Sequence, residues 1–177
     1  PVFATPKPQK LWTTGFGWLP GRTRSFFGEE QSFTYLDRDA GTLRSQGVDL
    51  AASPNAPVPA AEAGIIIFND DLGVYGKTLI IDHGFGLTSL YSQLSKVAER
   101  NGFALKEGDR VEKNEIIAFT GSSGLADSDL LHFEMRLVGT PVRPAEWWDK
   151  RWVNDHVEQK IAQIKKILGI KIITPID

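Results

Sequence analysis

The chain has 177 residues, 41% hydrophobic and 24% charged, with 20 Lys and Arg against 22 Asp and Glu for a net charge of −2. That is the make-up of an ordinary soluble globular domain with room for a sizeable core, and its lack of basic bias excludes nucleic acid as an expected partner. No apolar run approaches the roughly 20 residues of a membrane span, and the absence of cysteine excludes disulfides and thiolate metal sites. A metal site must therefore use His, Asp or Glu, and the three histidines are His83, His132 and His156. The chain starts at Pro1 without a charged n-region or apolar h-region; it reads as a mature chain, which leaves secretion open.

In chain order, residues 1–13 open with a proline-rich stretch and read as an extended arm. Between Leu11 and Asp39 the aromatics Trp12, Phe16, Trp18, Phe26, Phe27, Phe33 and Tyr35 alternate with glycines and polar residues, which suggests irregular β structure. Residues 40–62 read mostly as loop. Ile65–Phe68 is a short apolar run fit for a strand buried on both faces, followed by a turn at Asn69–Gly73. Thr78–Ile81 and Leu87–Tyr91 are two further strands. Ser92–Arg100 reads as a short helix ended by Asn101-Gly102. Arg110–Glu112, Ile116–Phe119 and Leu130–Val138 are strands bounded by glycine turns, and so many short strands indicate an antiparallel β sandwich or barrel-like domain over residues 14–150. Residues 151–177 differ: Asn154 or Asp155 can cap a helix running to about Leu168, with Gly169 as a C′ residue. Val157, Ile161, Ile164 and Leu168 form its narrow apolar stripe, and Ile170–Ile173 is a strand or tail.

Leu130–Arg136 alternates. Leu131, Phe133 and Met135 point one way, and Leu130, His132, Glu134 and Arg136 the other. A lone strand histidine is commonly a hydrogen-bonded interior residue, but His132 sits in an ordered series of motifs. These are Gly47-Val48-Asp49, Tyr75-Gly76, His83-Gly84-Phe85-Gly86, Tyr91-Ser92-Gln93-Leu94, Gly108-Asp109-Arg110, Thr120-Gly121 and Leu131-His132-Phe133-Glu134. Together they resemble the lysostaphin/LytM-type (M23) zinc endopeptidases over roughly residues 14–148, down to a Pro144-Ala145-Glu146-Trp147-Trp148-Asp149 ending. The resemblance implies a mostly β LytM-type fold. It also implies zinc ligands at Ser45, Asp49 and His132 and catalytic histidines at Gln93 and Leu130. Only two of those five positions, Asp49 and His132, hold the residue the chemistry needs.

Catalytic zinc takes three protein ligands and leaves a place for water. Ser45 offers a neutral hydroxyl, Gln93 cannot shuttle a proton, and Leu130 can do neither. Gln46 is a poor substitute for imidazole on zinc. His83 falls in a His-Gly-x-Gly turn that belongs to the frame, and His156 reads as a solvated helix residue. The longer Ser95–Lys106 segment is drift or a contact surface. Trp147, Trp148 and Trp152 read as core or helix anchors before they read as a glycan platform. The expectation is a degenerate domain with no catalytic residue, no zinc and a cleft lined by Gln93, Leu130 and Tyr91. The resemblance places it in the periplasm or elsewhere in the extracytoplasmic bacterial envelope. There it would bind or regulate an active peptidoglycan hydrolase, such as an intact paralogue, in cell-shape or division control. Two other readings stand beside it: a peptidoglycan-binding module, and a residual zinc endopeptidase cleaving peptidoglycan cross-links.

Overall fold

The computed structural model of the chain describes residues 7–13 and 15–169. The first six residues of the expected arm and the Ile170–Ile173 segment lie outside the described residues. The strands are, in chain order, β1 Arg22–Ser25, β2 Glu30–Tyr35, β3 Arg38–Arg44, β4 Val48–Ala51, β5 Pro57–Pro59, β6 Gly64–Asp71 and β7 Lys77–Asp82. They continue with β8 Leu87–Ser92, β9 Leu94–Val97, β10 Glu99–Arg100, β11 Phe103–Ala104, β12 Arg110–Val111, β13 Ile116–Thr120, β14 Leu130–Leu137 and β15 Thr140–Val142. Helices α1 Pro144–Trp148, α2 Lys150–Val153 and α3 Gln159–Ile167 close the described chain, with a π-helical turn at Asn154–Glu158 between α2 and α3. The principal sheet runs β1-β4-β14-β8-β7-β6-β12, with β15 also on β14; β13 pairs β5 and β9 in a smaller sheet. The pairings are antiparallel, and the architecture is the mostly β one expected.

Period-two alternation divides the principal sheet into two faces. Leu50, Leu79, Ile81, Leu87, Tyr91, Leu131, Phe133 and Met135 enter the core with Ile117 and Val111 from outside the central strands. Phe133 stacks on Trp148 at 5.8 Å between ring centres, and Phe16 meets Trp147 edge-on at 5.6 Å. The two tryptophans are therefore core anchors. On the other face lie Asp49, Ser92, His132 and Glu134, all buried.

Three expected elements are different in the structure. Residues 40–62 are not mostly loop, since they complete β3 and supply β4 and β5; β4 is only four residues long, and the prolines confine β5 to a sheet edge, paired with β13 alone. Ser92–Arg100 is not a helix. Gln93 has φ +61°, β9 pairs with β13, and Asn101-Gly102, at φ 55° and 80°, is a two-residue hairpin turn joining β10 to β11. Asn-Gly suits that turn because both central residues need positive φ; tertiary pairing overrides a helical composition. The terminal helical run begins at Pro144, straddling the boundary expected at residue 150. Asp149, not Asn154 or Asp155, caps α2 by accepting from the N–H groups of Arg151 and Trp152.

The arm is docked. Leu11 N donates to His83 O at 2.9 Å and Phe85 N to Lys7 O at 2.8 Å. Gly84, at φ +82°, leaves the space that Gln9 O fills. Glu158 Oε1 accepts from Lys10 Nζ at 2.6 Å and from Trp12 Nε1 at 3.0 Å, tying the arm to the terminal helical run. Glu158→Ala removes both bonds and is expected to cost about 1–2 kcal/mol, read as a lower urea midpoint.

His83 is fully buried. Its Nδ1–H donates to Ala63 O at 2.7 Å, its Nε2 lies 2.7 Å from Ser89 Oγ, and Ser89 Oγ is 3.2 Å from Tyr91 OH. Burial pushes its pKa down from 6.5 to about 4, so the folded state keeps it neutral while the unfolded chain takes a proton near pH 6.5. Between those values the unfolded state binds more protons, and stability falls as pH falls; below about 4 both states are charged and the loss stops. This contribution is expected to reach about 3 kcal/mol. Urea midpoints from pH 7 to pH 4 measure it, and His83→Gln should flatten that part of the slope.

Candidate functional site

The site lies where β4 and β14 run side by side, with Asp49 opposite His132 in register. His132 Nδ1 is 2.6 Å from Asp49 Oδ1, and Nε2 is 3.0 Å from Glu134 Oε1. Glu134 also accepts from Tyr75 OH at 2.9 Å and, through Oε2, from Arg136 Nε at 2.5 Å. Arg136 reaches on to Gln46 Oε1 at 2.7 Å. The second oxygen of Asp49 is also engaged: Ser25 Oγ donates to Oδ2, as does Gln31 Nε2 at 2.9 Å. Acids and bases thus alternate from Asp49 through His132 and Glu134 to Arg136.

That alternation sets the charges. Burial pushes the His132 imidazolium towards neutrality, but hydrogen bonds to the Asp49 and Glu134 carboxylates outweigh it and raise its pKa to about 9. Burial likewise pushes the Asp49 and Glu134 carboxyls up; their bonds to His132, with Ser25 and Gln31 on Asp49 and Arg136 on Glu134, hold both below the usual carboxylate range. Burial and the Glu134 charge push the Tyr75 phenol up to about 12, so it stays a donor. Tyr75 is fixed by its own backbone: its carbonyl accepts from Gln93 N at 2.9 Å.

The other expected positions divide. Ser45 is buried, but its hydroxyl turns to Gly47 O at 3.1 Å and not to Asp49 or His132. Gln93 is held to the Tyr75 carbonyl on a left-handed backbone; its Oε1 is buried and has no hydrogen-bond partner among the described residues, and Ser92 Oγ next to it is in the same condition. Leu130 is buried on the same face as His132. Tyr91, expected to line the cleft, does not. Alternation in β8 sends it to the core, where its hydroxyl accepts from Ala61 N at 2.9 Å and its ring meets Phe133 at 5.2 Å. Gln46 is engaged by Arg136, and His156 is exposed, stacked on Trp152 at 4.9 Å. Ser25 and Gln31 are invisible in the sequence because nothing local links them to Asp49. Glu134 and Arg136 are on its alternating face, though no motif assigns them to the site.

The residues present do not match a catalytic zinc. Asp49 and His132 converge, and a histidine whose far nitrogen binds a carboxylate is the usual outer arrangement of a metal ligand. The third donor is missing, since Ser45 faces its own backbone, and the two metal-donor groups that remain are satisfied otherwise: Asp49 accepts from His132, Ser25 and Gln31, and His132 donates also to Glu134. Among the described residues no group of three or more His, Asp or Glu side chains is arranged to hold a metal ion.

Comparison with known proteins agrees with the fold. The chain is 37% identical over 98 residues to the DD-carboxypeptidase/endopeptidase Mpg of Neisseria meningitidis, covering 55% of this chain and 21% of that one. It is 30% identical over 142 residues to the murein hydrolase activator EnvC of Escherichia coli, covering 80% of this chain and 29% of that one. A crystal structure of a zinc-containing peptidase from Vibrio cholerae superposes with a TM-score of 0.60 at 25% identity, covering 73% of this chain and 39% of that one. The chain thus spans less than a third of either curated relative's length. The sequence profile of peptidase family M23 matches residues 44–144, a stretch that runs from just before Ser45 to the start of α1 and so holds all five expected site positions. On that match, and on the mostly β fold that carries it, the chain belongs to peptidase family M23.

Proposed function

We propose that this is a non-catalytic M23 domain of the bacterial cell envelope that binds or regulates an active peptidoglycan hydrolase, such as an intact paralogue, in cell-shape or division control. The observation that carries the reading is the fate of the third ligand: Ser45 faces Gly47 O, while Gln93 and Leu130 stand where proton transfer would need imidazoles. The likeness to a protein named as a murein hydrolase activator supports it. In this reading zinc is absent, the arm 1–13 and the tail 151–177 flank the LytM-like domain 14–150, and the location is periplasmic.

The cleft's surroundings suit a protein contact. Phe26, which follows Ser25, is 64% exposed; Val74, which precedes Tyr75, and Leu125, whose N–H binds Val74 O, are 56% and 58% exposed. Exposed aromatic and aliphatic side chains of this kind offer contact points to a partner protein. Affinity purification from envelope extract is expected to recover a wall hydrolase, and the double variant Phe26→Asp, Leu125→Asp is expected to lose it while remaining folded. Recovery of the same partner by that variant would move the contact elsewhere, and release of muropeptides by the unaltered domain would sink the non-catalytic reading.

A second reading has its own support. Ser92 Oγ and Gln93 Oε1 are buried without partners among the described residues, and such groups are costly unless something satisfies them. A peptide stem that opened this segment and bonded to them without being cut would do so, making the domain a peptidoglycan-binding module. Retention on isolated peptidoglycan, with no protein partner recovered, selects it.

A further inference from the structure

We infer that the outer end of α3 is a docking surface for an anionic phospholipid bilayer. The expected apolar stripe of the terminal helix is split in two. Val157 and Ile161 pack against the core, whereas Ile164, Ile167 and Leu168 are 55%, 77% and 65% exposed. Spaced three and four apart, the exposed three share one helix face. Around them α3 carries Lys160, Lys165 and Lys166 and no acidic residue, on a chain whose net charge is −2. The acids one turn back are engaged: Glu158 with Lys10 and Trp12, and Asp155 with Gln159 and Asn154.

The occupant follows from that chemistry. It must offer apolar depth to Ile164, Ile167 and Leu168 and negative charge to the lysines around them. A second copy of this helix end would set lysine against lysine, so self-pairing is opposed. An anionic leaflet meets both demands: the apolar side chains enter the acyl boundary while lysine stems lie along it and their ammonium groups reach the phosphates. The proposed contact is with the membrane surface; no helix of the described residues is long and apolar enough to cross it. Such a contact goes beyond the proposed function, since it orients the domain whatever its cleft does.

The test is sedimentation of the whole chain with vesicles of phosphatidylglycerol and phosphatidylcholine, against vesicles of phosphatidylcholine alone. Binding to the anionic vesicles is expected, weakening as salt rises. Lys165→Glu plus Lys166→Glu should reduce it by about tenfold or more, and Ile164→Asp plus Ile167→Asp should abolish it; all four sites are on a surface helix end, and circular dichroism checks the fold. Lys77→Glu plus Lys106→Glu, equal in charge but on exposed positions elsewhere, should leave it unchanged. The inference is overturned if the chain ignores anionic vesicles, binds both vesicle types equally, or loses as much binding with the distant pair. An acidic protein captured through this helix, without vesicle binding, would overturn it as well.

Discussion

Peptidoglycan incubated with the purified domain is expected to release no muropeptides, and Ser45→His alone is expected to leave that unchanged. The single change rebuilds a set of three ligands around Asp49 and His132 but leaves Gln93 and Leu130, which can neither accept nor deliver a proton during attack. Each missing acid–base group typically costs on the order of 10² to 10⁴ in rate, so a metal restored without them stays close to inert. The triple variant Ser45→His, Gln93→His, Leu130→His is the minimum expected to show hydrolysis. Zinc content should rise towards stoichiometric with the first change and hardly respond to the other two, because, of the three, only Ser45 stands where the family resemblance implies a ligand. Chromatography of digested sacculi, alongside elemental analysis of each variant, separates the two quantities. Activity in the unaltered chain, or in Ser45→His alone, would show that the cleft has another proton carrier. Tyr75, at 2.9 Å from Glu134, would then be the first residue to replace.

Much of this site is legible from residue types in order. The motifs place Asp49 and His132, and the structure sets them 2.6 Å apart. Alternation along β14 puts Glu134 and Arg136 on the same face as His132, which is where they form the charged relay. What the sequence does not disclose is how Asp49 is satisfied. Ser25 and Gln31 reach it from β1 and β2, 24 and 18 residues away in sequence, and no periodicity within a strand specifies such a contact. Tyr91 shows the opposite failure. Its motif neighbour Ser92 lies opposite His132, and treating the motif as one patch ignores the alternation that sends Tyr91 to the core.

The fold divides in the same way. Strands whose apolar residues decide their own environment, such as β6, β7, β8 and β14, are legible to within a few residues of their ends. The segments that mislead are those whose state is settled by distant partners. Leu94–Val97 has the composition of a helix but is held as β9 by β13, and the Asn101-Gly102 pair that reads as a helix stop turns a hairpin. Val48–Ala51, too short to stand out locally, lies between β1 and β14 as a central strand.

Gly47→Ala is expected to be strongly destabilising through overpacking alone, with no backbone strain of its own. A Cβ at Gly47 would collide with the Phe133 carbonyl oxygen and lie 2.9 Å from its carbonyl carbon and 2.8 Å from Glu134 Cγ. Two of these atoms are backbone of β14, so no side-chain rotation relieves the contact; β4 itself must move away. That movement acts where Val48 opposes Phe133 and Asp49 opposes His132. It therefore strains the stacking of Phe133 on Trp148 and lengthens the Asp49–His132 bond together. Overpacking against fixed backbone typically costs about 1–3 kcal/mol and sometimes more, and the upper part of that range is expected here, about 3 kcal/mol. For a chain of this size that is a fall in Tm of about 6–12 °C. Gly28→Ala supplies the comparison. Gly28 has φ +81° but nothing within 4 Å of where an added methyl would sit, so its cost is the backbone conformation alone, about 1 kcal/mol. Urea unfolding followed by tryptophan fluorescence measures both. A Gly47→Ala loss no larger than that of Gly28→Ala would mean that β4 can yield, and that the glycine between Ser45 and Asp49 is not what lets the two strands close on each other.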